Sequence, residues 1–180
     1  MRCFALAGGL VLVVGTVTAG QPIPAGMKVG LPEYLRFGYQ GIKQNLLRAA
    51  EKLPEADYGF RPGSMPEVRT YGQIFAHVAE GQFDACAAVK GVPNPNAGRQ
   101  LERELHTKRE FLEALRASFA FCDDVFAALS DADADAMVPR GEGHLSKLAM
   151  LVGVLAHASE MYGISTVYLR ARHIVPPSSE

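Results

Sequence analysis

Residues 35–53 read LRFGYQGIKQNLLRAAEKL, and within them Leu35, Tyr39, Ile42, Leu46, Ala49 and Leu53 recur at gaps of four and three. That spacing puts all six on one side of an α-helix, at the 3.5-residue period of helices packed in a bundle. Pro32 suits a first helical turn, because its missing N–H has no partner to lose there. Pro54 ends the segment.

Three more segments carry the same signature. Thr70 is a good N-cap for a second helix, with a stripe of Tyr71, Ile74, Val78, Gly81, Ala85 and Ala88, stopped by Gly91 and Pro93. A third repeats Leu112, Leu115, Phe119, Cys122, Phe126 and Leu129, and the run from Ser130 to Asp135 breaks it. A fourth extends from about His144 to Ala171 with two apolar stripes. One is Leu145, Leu148, Val152, Leu155, Tyr162, Thr166 and Leu169; the other is Met150, Val154, His157, Met161, Ile164 and Tyr168. A helix apolar on two faces is expected to be the most buried of the set. Nothing reads as a strand. The expected fold class is all-α, a four-helix bundle.

Pro54 to Arg69 and Gly91 to Glu104 are connections of roughly fifteen residues each, longer than the usual two to eight between neighbouring bundle helices. Such a segment can return along a helix about 30 Å long. The second and third helices are therefore expected to be parallel, in an up-down-down-up bundle with a long crossover between them. Cys86, near the end of helix two, and Cys122, in the later half of helix three, come together in that arrangement.

Residues 1–20 have the form of a secretory signal peptide: Arg2, an apolar run from Phe4 to Val14, and the small-residue Val17-Thr18-Ala19. A retained anchor is the rival reading, but the run is short for a span of ~20 residues. Residues 21–180 fit one domain. The chain is expected to be exported, periplasmic or secreted, with no stable membrane insertion after cleavage. Its net charge of −1, with both signs interspersed, offers no basic patch for nucleic acid. In an oxidising compartment Cys86 and Cys122 are expected to form a disulfide; two separate buried thiols are the alternative.

His77 on helix two and His157 on helix four are the candidate metal ligands. A third histidine at i+4 from His157 would complete a three-His facial site, but that position is Met161. A thioether is a soft, neutral donor suited to Cu(I) rather than Zn²⁺ or Ni²⁺, and Met161 also fills core gaps well. Glu80 and Glu160 each stand three residues after a histidine, so either can supply a carboxylate. His144 is read as a cap of helix four, and His106 and His173 as surface residues. Asp57, Tyr58, Phe60 and Arg61 lie in the first long loop, read either as a packed loop or as a lid; Tyr58, Arg61 and Tyr162 are the expected pocket residues. No Ser-His-Asp set, P-loop or dinucleotide fingerprint is visible.

The stretches IKQNLLRAAE (42–51), PEADYGFRP (54–62), EVRTYGQIFAH (67–77) and YLRARHIVPPSSE (168–180) carry a resemblance that extends over nearly all of residues 21–180. With them the chain resembles the DinB superfamily and looks like an exported subgroup of it. It implies a divalent ion, zinc or nickel, held by three histidines, one on helix two and two on helix four. His77 and His157 match two of them, and Met161 replaces the third, which implies a weak or absent ion. It also implies chemistry such as thiol S-transfer or isomerisation with low-molecular-weight thiols.

Two functions from different classes follow. One is a protein with an altered His/His/Met metal or small-molecule pocket, serving binding or left as a vestigial metal site. The other is a metal-dependent hydrolase or thiol S-transferase with a carboxylate as third ligand. A homodimer is compatible with either.

Overall fold

The computed structural model describes residue 23 and residues 25–180 apart from 134; the signal-peptide expectation for residues 1–20 lies outside the described residues. Five α-helices carry the fold: α1 (Leu31–Lys52), α2 (Tyr71–Lys90), the single-turn α3 (Leu101–Glu104), α4 (Lys108–Ala128) and α5 (Lys147–Ala171). The stripe that defines α1 is buried throughout, from Leu35 to Leu53. Thr70 caps α2 in a capping box with Gln73, and Gly91 ends it in the left-handed conformation, φ 67°. Thr107 and Glu110 form a second capping box at the start of α4.

Long-range contacts fix how the helices lie. Near their starts, the backbone of α2 at Gly72 touches Phe111 of α4. Toward their ends, Cys86 and Cys122 lie at disulfide distance with Cα atoms 5.6 Å apart, and Lys90 pairs with Asp124 at 2.7 Å. The start of α1 meets the end of α4, where Arg36 donates to the Leu129 carbonyl. The end of α1 meets the start of α2, where the Tyr71 hydroxyl donates to the Ala49 carbonyl at 2.6 Å. The Tyr39 and Phe126 rings stack at 3.9 Å between α1 and α4.

Three sequence expectations need correction. The chain does form strands: β1 (Met137–Arg140) and β2 (Gly143–Ser146) pair antiparallel. The two-residue loop between them opens on Gly141 at φ 59°, a conformation that suits glycine at the first loop position. The strands are short and hold Pro139, so no alternating pattern announces them. His144 therefore lies exposed in β2, and the cap of α5 is Ser146, whose hydroxyl accepts from the Ala149 N–H.

The third correction concerns burial. The most enclosed helix is α2, not α5: residues 71, 72, 74–76, 78 and 79 are all buried. It lies between α4 and α5 and packs on both, and Gly72, Ala76 and Ala79 let those neighbours approach. On α5, Val152 of the first apolar stripe and Ile164 of the second are exposed, as is Val167, so both stripes face outward in part.

Candidate metal centre

The capping box at Thr70 sets the phase of α2, and His77 follows two turns later on the side facing α5. His157 approaches from α5. Gly81 makes room for it: a Cβ at Gly81 would stand 3.4 Å from His157 Cε1 and 3.5 Å from its Nδ1. The two imidazole centroids are 4.9 Å apart with an edge-on tilt of 71°. Burial, then the neighbouring His77, hold the His157 pKa below its usual value, and the Arg69 charge adds to this against the pull of Glu160. A neutral imidazole with an available lone pair is the form a metal needs.

The other side of His77 meets residues from the crossover. Glu102, on α3, places Oε1 2.6 Å from His77 Nδ1. Arg69 Nε donates to Glu102 Oε2 at 2.8 Å, and the Arg69 backbone carbonyl accepts from the Tyr168 hydroxyl at 2.7 Å. Glu80 accepts a hydrogen bond from the Leu101 N–H, and Gln73 Nε2 donates to the Glu102 backbone carbonyl at 3.1 Å. These bonds fasten α3 to α2. His77, Glu80 and Glu102 each offer a ligand atom within 4.8 Å of the others, a group able to hold a metal ion.

A cavity of about 370 Å³ opens beside the histidines, walled by His77, His157, Gln82, Met150 and Val154, with Arg140 from β1 at its edge. The Gln82 side chain is buried; its Oε1 accepts from the Ser118 hydroxyl at 3.1 Å, while its Nε2 has no partner among the described residues.

The structure brings His77 beside His157 on one side and groups it with Glu80 and Glu102 on the other; His157 is not part of that second group. Glu160 is exposed and outside the ligand group. Met161 is buried in the core, one turn beyond His157, and does not line the cavity. Tyr58, Arg61 and Tyr162 do not line it either. The Tyr58 hydroxyl donates to the Ala50 carbonyl, Arg61 donates to the Pro66 carbonyl at 3.0 Å, and the Tyr162 hydroxyl accepts from the Ser178 N–H at 2.8 Å. Tyr58 ties the first loop and Tyr162 the C-terminal tail to the bundle, while the Arg61 bond lies within the first loop. Glu102, Arg69 and Arg140 were not foreseen. Glu102 lies twenty-five positions from His77 in sequence, and no helical spacing links them.

Comparison with known proteins agrees with this picture of the fold. A family profile described as the DinB superfamily matches residues 39–160. A solved structure, a DinB-like protein from Bacillus cereus ATCC 10987, aligns with a TM-score of 0.61 at 13% identity, covering 81% of this chain and 95% of that one. No curated protein sequence matches.

Proposed function

The chain belongs to the DinB superfamily, and from that premise we propose that it is an exported small-molecule-binding protein whose cavity carries a weak divalent-cation site. The ligands are His77, His157 and a carboxylate of the Glu80–Glu102 pair. One observation carries this reading: His77 faces His157 at 4.9 Å and has Glu102 2.6 Å from its Nδ1, at the wall of a 370 Å³ cavity.

The donor set fits such an ion. Imidazole nitrogens with one carboxylate are ordinary ligands for Zn²⁺, and imidazole also suits Ni²⁺. The affinity is held down by the neighbours: Arg69 puts a positive charge beside the site, and Glu102 is engaged by both Arg69 and His77. Met161 supplies no imidazole. When bound, a divalent ion with an open position acidifies a water or thiol placed on it. A second reading, a metal-dependent hydrolase or thiol S-transferase, is favoured by the same carboxylates, since they can replace the missing third histidine.

Export is supported by the leader-like residues 1–20 and by a cysteine pair at disulfide distance. An up-down-down-up bundle is supported by the contacts of α2 with α4 at both ends, with residues 91–107 as the crossover.

Calorimetric titration of metal-free, untagged protein with Zn²⁺ and Ni²⁺ tests the proposal. We expect a dissociation constant weaker than ~1 μM and its loss in His77→Ala. Tight stoichiometric metal in the purified protein would favour the enzyme reading. An absence of binding in the millimolar range would remove the ion from the function.

A further inference from the structure

Resting on the cation reading above, we propose that Glu102 is a positioning residue that keeps the His77 proton on Nδ1, so that Nε2 is the bare nitrogen offered to the ion and Glu80 is the carboxylate that completes the set.

The distances require a proton between His77 and Glu102. An ionised carboxylate only accepts, so an imidazole nitrogen 2.6 Å from Oε1 must be the donor. Nδ1–H therefore points at Glu102, and the neutral ring has its lone pair on Nε2. Arg69 Nη2 lies 3.2 Å from the same Nδ1, but a protonated Nδ1 cannot accept from it. The guanidinium instead forks onto Glu102, with Nε at 2.8 Å from Oε2 and Nη2 at 3.3 Å from Oε1. That fork fixes the direction in which Glu102 accepts. The side chains of His77 and Glu102 are 30% and 24% exposed, so much of the contact is screened from water.

Carboxylates that orient a ligating histidine through its second nitrogen also raise its basicity. Glu102 has this geometry, and its position depends on α3 being held in place. Glu80 does that by accepting from Leu101 N–H with Oε1, which leaves its other oxygen without a hydrogen-bond partner among the described residues, and Glu80 belongs to the group of ligand residues around His77. The crossover thus contributes the orienting group, and α2 contributes two of the ligands.

The test is a two-bond ¹H–¹⁵N correlation on the metal-free, ¹⁵N-labelled full chain, at a pH where the spectrum shows neutral rings, with Zn²⁺ titration alongside. We expect the wild-type His77 proton on Nδ1. Glu102→Ala should move it to Nε2, the tautomer a free histidine prefers, and weaken Zn²⁺ about 10–100-fold. Glu102→Asp should restore much of both. Glu80→Ala should lose Zn²⁺ affinity with the His77 tautomer unchanged. A wild-type His77 with its proton on Nε2, or an unchanged tautomer in folded Glu102→Ala, overturns the positioning role; if Glu102→Ala does not fold, the wild-type spectrum still decides. Glu80→Ala binding Zn²⁺ as tightly as wild type overturns the role given to Glu80. A wild type that shows the Nδ1 proton but binds no Zn²⁺ supports the positioning role and sinks the cation reading instead.

Discussion

Phe111 occupies the space that a side chain at position 72 would need: its ring lies against Gly72 within contact distance of where a Cβ would be built. The ring cannot easily retreat, because it stacks on Tyr58 at 5.8 Å. Gly72→Ala gains about 1 kcal/mol of helix propensity and loses more to overpacking, which costs about 1–3 kcal/mol. A net destabilisation is expected in chemical denaturation. Trimming the ring in Gly72→Ala/Phe111→Leu should recover part of it as a coupling term. A Gly72→Ala protein more stable than wild type would mean that the two helices separate freely here.

Cys86 and Cys122 are fully buried, 36 residues apart in sequence and at disulfide distance. In oxidised protein they are expected to resist alkylation even after unfolding. Replacing both by serine should cost about 2–4 kcal/mol, the usual effect of closing a loop of this size. Mass measurement after alkylation in denaturant, with and without reductant, checks the bond. Two alkylated thiols without reductant would refute it.

Met161 packs in the core rather than on the cavity wall, but it follows His157 by four residues, so a longer polar ring there would lie one turn away on the same face of α5. Met161→His should raise Zn²⁺ affinity at least ~10-fold, or ~1.4 kcal/mol, and His77→Ala should remove that gain. Without metal the new imidazole replaces a buried apolar side chain and should cost about 1–3 kcal/mol. Zinc should restore stability by mass action. Titration and thermal melts together read both effects. A folded variant with unchanged affinity would show that position 161 does not reach the ion.

Glu110 caps α4: its carboxylate accepts from the backbone N–H groups of His106 and Thr107, each at 2.9 Å. Those bonds, with the Thr107 side chain, lower its pKa to about 2. A carboxyl more acidic in the folded than in the unfolded state stabilises the fold above the unfolded pKa of ~4.3, and the effect fades as pH falls toward the folded value. The stability advantage of wild type over Glu110→Gln should thus be level above about pH 5 and shrink between about pH 4.3 and 2. An advantage that grows on acidification would contradict the assignment. Urea denaturation across that range is the measurement.

Local chemistry was legible in the sequence. The α1 stripe from Leu35 to Leu53, the Thr70 cap and the Gly91 stop each depend on residues within about four positions, so their spacing alone located the helices. The family came from the resemblance of stretches such as 54–62 and 67–77, and His77 and His157 were singled out by their places on two helices together with that resemblance. The hairpin at 137–146 escaped because its signal is one glycine in a two-residue loop, too little to compete with the apolar run that follows.

What surrounds the histidines was decided only in three dimensions. Glu102 reaches His77 because the 91–107 segment turns back along α2 and is fastened there by Glu80 and Gln73. Arg69 stands where it does because Tyr168, ninety-nine residues away, holds its carbonyl. Met161 is core rather than cavity wall because of how α5 is rotated against its neighbours. The order of residues states which groups exist and which helical face they share. The path of a long connection and the rotation of one helix on another depend on packing summed over the whole core, which no local pattern encodes.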